Sequence, residues 1–222
     1  MIHYHGTPIT PRSELHRLAG RHFCISFAEP RDIDWCLQHG SSVMMDNGAF
    51  TAWTQKRHVD WGDYYEWLAP RLAPPHWAVL PDVIAGDEKD NDELLKANPY
   101  QKELVAPVWH LHESLERLEN LVKEWPKVCF GSSGNYATIG NANWNNRIDV
   151  AWEAIYKTGT KPWVHMLRAM SAASKGSWPF ASADSTNIAR NFKGSRQQKS
   201  QDIEQMADRL DAQNPKQKDV DS

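Results

Sequence analysis

Asp46, Asp82 and Asp184 each close a short apolar run of β type: Met44-Met45-Asp46, Leu80-Pro81-Asp82 and Ala183-Asp184. An aspartate after a strand serves first as the cap of the next helix. Gathered in one pocket, however, two carboxylates can exchange groups at a sugar anomeric carbon. One attacks C1′ and the other gives and takes protons, through an oxocarbenium-like transition state. His5, His110 and Arg168 also stand at the ends of strand-like runs and are candidates for the same pocket. Phe50, four residues past Asp46, offers either a ring for a flat ligand or an ordinary core side chain. Gly131-Ser132-Ser133-Gly134 offers either backbone amides for a phosphate or a plain turn. Arg190, Lys193, Arg196 and Lys199 form a basic run with no acid between 186 and 199, fit for a phosphate backbone or for a solvated loop. His3 and His5 share one face of a strand, as do His110 and His112. Neither pair has a matched third ligand, so no metal site is expected.

These residues need a scaffold that gathers strand ends. Strand candidates fall at 2–5, 22–28, 42–46, 77–82, 104–109, 127–131, 163–167 and 179–184, several of them apolar throughout. Helix candidates lie between them at 13–19, 31–39, 60–72, 90–97, 114–125 and 145–157. Thr10-Pro11 reads as a cap and first-turn proline, Ser114 as a cap, and Gly40 and Gly159 as stops. Such alternation implies parallel strands with right-handed crossovers. Eight units imply an α/β fold, a minimal (β/α)8 TIM barrel over 1–194, with its chemistry at the C-terminal ends of the strands. An open doubly wound sheet is the alternative, but no GxGxxG follows the first strand. Residues 195–222 turn polar and read as a loose helix over 202–210 followed by a disordered tail.

Composition narrows the class. The chain has 222 residues, 41% hydrophobic and 24% charged, with a net charge of -3. Those values exclude wholesale disorder, a coiled coil and a collagen-like fibre. No apolar stretch approaches the roughly 20 residues of a membrane span. The N-terminus lacks a signal-peptide core, so a cytoplasmic protein is expected. Cys24, Cys36 and Cys129 form no CxxC and read as reduced, buried thiols. Eleven tryptophans and ten histidines suit a core, a homodimer or partner-protein interface, or a surface that stacks bases.

The motifs carry a resemblance. Asp46-Asn47-Gly48-Ala49-Phe50, after an apolar strand, resembles the DSGGFQ-type motif of the tRNA-guanine transglycosylases. Asp184-Ser185-Thr186-Asn187-Ile188-Ala189-Arg190-Asn191 resembles that family's late motif, and Phe130-Gly131-Ser132-Ser133-Gly134 its glycine pair after strand six. Order and strand placement agree over roughly residues 1–194, and the family fold is a (β/α)8 barrel. The compact form is most similar to the phage branch that places 7-deazaguanines in DNA (DpdA-like).

The resemblance implies Asp184 as nucleophile and Asp46 as general acid/base. It implies Phe50 stacking on the base, and Asp82 and the Gly131 region reading the base edge with support from Asn47. His5, His110, Ser132 and Arg168 join the substrate pocket. It implies DNA as the polymer, a 7-deazaguanine such as preQ0 as the incoming base, and no metal or redox cofactor. Three departures stand out. No cysteine follows Cys129, so the family's zinc subdomain is missing. Trp109-His110 replaces a glutamine-glycine, and Arg168 stands where glycine is usual. The alternatives are the same exchange on tRNA, a barrel hydrolase of nucleosides or glycosides, and a non-enzymatic binding module whose aspartates only cap helices.

Overall fold

The computed structural model describes residues 1–192 and 202–213. Nine strands, all paired in parallel, form one sheet: β1 (Ile2–Gly6), β2 (His22–Ser26), β3 (Ser42–Asp46), β4 (Trp77–Val79), β5 (Val105–Ala106), β6 (Val108–His110), β7 (Lys127–Gly131), β8 (Trp163–Met166) and β9 (Ser182–Ser185). β1 pairs with both β2 and β9, so first and last strands meet. β4 pairs with β5 and β6 with β7. Between β5 and β6 lies only Pro107, which has no N–H to donate to a ladder. Its carbonyl still accepts from the Cys129 amide at 2.8 Å. The two pieces are therefore one stave of an eight-stave α/β barrel, and the expected (β/α)8 architecture holds.

Alternation along each strand sorts the side chains into two layers. Tyr4, Met44, Trp77, Val79, Val108 and Cys129 pack together inside the barrel. Phe23, Ile25, Val43, Met45, Ala78 and Ala183 face the helices in a separate, larger core. Asp46 follows Met44 on the inner face of β3. Asp184 flanks Ala183 and so turns inward on β9. His3 and His5 flank the inward Tyr4 and so turn outward.

The helices follow the expected order with shifted ends. Helix Leu115–Glu124 is capped by Ser114, whose hydroxyl accepts from the Arg117 amide, and helix Ala142–Thr158 stops at Gly159 with φ +72°. Helix Arg12–His16 is shorter than expected, and Pro11 precedes it in extended backbone instead of opening its first turn. Gly40 is not a left-handed stop either, since its φ is -86°. Glycine is required there by close approach: a Cβ would lie 2.7 Å from the Cys36 carbonyl oxygen and 2.9 Å from the Phe23 ring. Three short helices, Ala49–Thr54, Met170–Ala173 and Asn187–Asn191, were not expected.

The C-terminal segment 203–211 is not loose. Helix Ile203–Asp211 is capped by Asp202 and buries Ile203, Met206 and Ala207 in the outer core. Arg17 pairs with Asp202 and Glu204, and Arg21 with Asp208 and Asp211. This helix completes the outer layer beside β1. Lys193, Arg196 and Lys199, and the expected disordered tail beyond 213, lie outside the described residues. No helix among the described residues is long and apolar enough to cross a membrane.

Candidate active site

A cavity of about 1050 Å³ opens at the C-terminal ends of the strands. Asp46, Asn47, Phe50, Asp82, His110, Gly131, Ser132, Arg168, Asp184 and Arg190 all line it. Ten of the expected site residues thus meet in one mouth. His5 does not: it points out of the barrel and its Nε2 bonds Asp211 at 2.9 Å. The reason is strand alternation, which gives the inward positions on β1 to Ile2 and Tyr4.

Asp184 is buried and held from two sides. The Arg168 amide donates to its Oδ1 at 2.7 Å, and His165 Nε2 lies 3.2 Å from the same oxygen. The ring of His165 is oriented from behind. Trp163 Nε1 donates to Ser182 Oγ at 2.9 Å, and that oxygen lies 2.8 Å from His165 Nδ1. A carboxylate only accepts, so His165 donates to Asp184 from Nε2. Both bonds fall on Oδ1, and Asp184 lines the cavity.

Asp46 is held from the strand that precedes it in the wall. Its Oδ2 accepts from the Gly48 amide at 3.0 Å, and Gly48 takes φ +77° at the start of helix Ala49–Thr54. Burial raises the Asp46 carboxyl from 3.8 to about 6; the negative charges of Asp184 and Asp82 add to this, and hydrogen bonds from Ser26 and Gly48 oppose it. A carboxyl poised near 6 can both hold and release a proton near neutral pH.

Asp82 is buried with both oxygens engaged. Asn47 Nδ2 donates to Oδ1 at 2.6 Å, and His110 Nε2 lies 2.8 Å from Oδ2. Asn47 also donates to the Leu80 carbonyl and accepts from the Ala49 amide, so it braces the cavity wall that it lines. Behind His110, Glu113 accepts from the His110 amide at 2.8 Å and pairs with the buried Arg117 at 2.7 Å. Glu113, Arg117 and His165 were not anticipated as supports.

The Gly131-Ser132-Ser133-Gly134 segment is explained by packing more than by a phosphate. A Cβ on Gly131 would meet His110 Nδ1 at 2.7 Å. Ser132 Oγ accepts from Trp144 Nε1, and Ser133 Oγ lies 2.8 Å from His112 Nδ1. Only Gly131 and Ser132 of the four border the cavity. The Phe50 ring is likewise not open on both faces. The Arg168 guanidinium covers one of them, 3.6 Å from the ring centre.

The thiols are poor competitors as nucleophiles. Burial pushes Cys24 and Cys129 well above the usual thiol range, and the charges of Asp184 and Asp46 add to it. The chain matches no protein-family model and no curated protein.

Proposed function

We propose that the protein is a cytoplasmic pentosyltransferase that replaces guanine in DNA with a 7-deazaguanine of the preQ0 type. One observation carries this reading: two carboxylates from different strands, Asp184 and Asp46, share one cavity. Asp184 is oriented by a backbone amide and an imidazole, as a nucleophile must be. Asp46 has its proton affinity raised to about 6, as a shuttle requires.

The steps balance without a cofactor. Asp184 Oδ2 attacks C1′ of a deoxyguanosine. The C1′–N9 bond breaks and its electron pair leaves with guanine, which takes the proton of Asp46. A glycosyl ester of Asp184 remains. The incoming 7-deazaguanine gives its N9 proton to the Asp46 carboxylate, and N9 attacks C1′, expelling Asp184. Asp82 and His110, bonded to each other beside Gly131, are the groups that read the base edge. Arg168 swings off Phe50 to expose the ring for stacking, and the exposed Arg190 at the rim offers charge to a phosphate. The target base must leave the duplex stack, at a cost of a few kcal/mol.

Nucleosides released from duplex DNA and, separately, from tRNA after incubation with preQ0 test the reading by mass spectrometry. A preQ0 deoxyribonucleoside from DNA, absent with Asp184→Asn, is the expected result. A modified ribonucleoside from tRNA alone would replace DNA by tRNA as substrate. Free guanine with no inserted base would make the protein a hydrolase.

A further inference from the structure

A second polar cluster lies on the outer face of β1, apart from the mouth. His3 and His5 leave the strand on the same side, and their side chains are 0% and 1% exposed. Asp211, the last residue of helix Ile203–Asp211, meets them there. Its Oδ1 lies 2.9 Å from His5 Nε2 and 3.4 Å from His3 Nδ1. The three ligand-type atoms all fall within 4.8 Å of one another. His3 Nδ1 is buried and makes no hydrogen bond among the described residues, although it faces the carboxylate. A buried polar nitrogen that faces a carboxylate without a hydrogen bond is costly and calls for an explanation.

We propose that His3 Nδ1, His5 Nε2 and Asp211 Oδ1 form a site for a divalent transition-metal ion, with zinc the best match to the ligand set. Zinc bonds imidazole nitrogen and carboxylate oxygen at about 2.0–2.1 Å, which in a tetrahedron separates the ligand atoms by roughly 3.3 Å. The separation at His3 matches that figure, and the one at His5 is a few tenths of an ångström short. The surroundings are of the kind that orient ligands. His3 Nε2 lies 2.8 Å from Ser185 Oγ, which fixes the ring and turns Nδ1 to the cluster. Arg21 engages Asp211 Oδ2 and leaves Oδ1 facing the histidines. Its charge also offsets that of the carboxylate, so the site is weaker than an all-anionic one. Asp211 is 30% exposed at its side chain, which gives an ion a route in and leaves the fourth position to water. Metal there ties the C-terminal helix to a strand 206 residues away in the chain. The site is independent of the base-exchange reading, since its ligands leave the barrel on the opposite face from Asp46 and Asp184.

The test uses the full chain, stripped with a chelator and titrated with Zn²⁺ and with Co²⁺ at about pH 7.5. Bound metal is counted by elemental mass spectrometry after gel filtration, and Co²⁺ coordination is followed by visible absorption. One ion per chain, a four-coordinate Co²⁺ band and a higher Tm on loading are expected. His5→Gln and Asp211→Asn should each weaken binding at least tenfold, while Asp46→Asn binds as wild type does. Wild-type protein with a native circular dichroism spectrum that takes up no stoichiometric ion would overturn the proposal. So would equal uptake by folded wild type and folded ligand variants, leaving the cluster as a hydrogen-bonded clamp. The wild-type stoichiometry and Co²⁺ spectrum decide the matter even where a variant fails to fold.

Discussion

The guanidinium of Arg168 lies 3.6 Å from the centre of the Phe50 ring, while the backbone amide of Arg168 donates to Asp184 Oδ1 at 2.7 Å. One residue therefore covers the stacking ring and orients the proposed nucleophile. It does so with φ +58°, in the left-handed region. That conformation costs a non-glycine residue roughly 1–2 kcal/mol. Arg168→Gly and Arg168→Ala both uncover Phe50, but only glycine relieves the backbone. In urea melts the glycine variant should exceed the alanine variant by about 1 kcal/mol. Equal stability of the two would show that the left-handed turn carries no strain.

Asp46 links stability to pH. Its carboxyl titrates near 3.8 when unfolded and near about 6 when folded. The folded state thus holds the proton more tightly. This contribution is fully present below about pH 4 and is lost as pH rises through 6. At about 1.4 kcal/mol per pKa unit the loss amounts to at most about 3 kcal/mol. Asp46→Asn, which carries no charge, should therefore be more stable than wild type at pH 8 by about 1–3 kcal/mol and no more stable at pH 4. Denaturant midpoints at the two pH values check this; an unchanging difference would contradict the raised carboxyl.

Asp82 accepts from Asn47 on one oxygen and from His110 on the other. Asp82→Asn turns an N–H₂ toward one of those donors and disorders the pair. If the pair reads the incoming base, KM for preQ0 rises about tenfold or more while kcat changes less, as loss of ground-state binding requires. A fall in kcat at constant KM would instead assign Asp82 to the chemical step.

Met206 lies in the outer core, 1% exposed, on the helix that covers β1 from outside. Met206→Ala should cost about 2–4 kcal/mol, as large-to-small core changes do. Equilibrium unfolding reads this directly. A cost within about 0.5 kcal/mol, the range of surface substitutions, would make this helix the loose appendage its polar flanks suggest.

The fold was legible because strands buried on both faces are written as apolar runs, and all eight runs became staves. Pro107 interrupts the fifth ladder without breaking the apolar pattern around it. The helices at 49–54, 170–173 and 187–191 are too short to show a 3.6-residue period. They follow mouth residues directly, where the text reads as loop. The mouth was legible through its aspartates, because three of them end strand-like runs and the C-terminal strand ends of a barrel converge on one side. Direction was not legible on β1. A strand with two buried faces does not reveal which one is the barrel interior, so Tyr4 took the position expected of His5. His165 was hidden for a related reason: it faces inward, bonded to Asp184, without lining the cavity. Asp211 carried no local signal, since its partners His3 and His5 stand at the other end of the chain.

The central claim is that Asp184 forms the sugar-enzyme bond. Duplex DNA incubated with the protein in the absence of any incoming base, then denatured and resolved by mass, tests it most directly. A protein–DNA adduct lacking one guanine, mapped to Asp184, lost in Asp184→Asn and discharged by preQ0, is the predicted result. Release of guanine without an adduct, or an adduct that survives Asp184→Asn, would contradict the account.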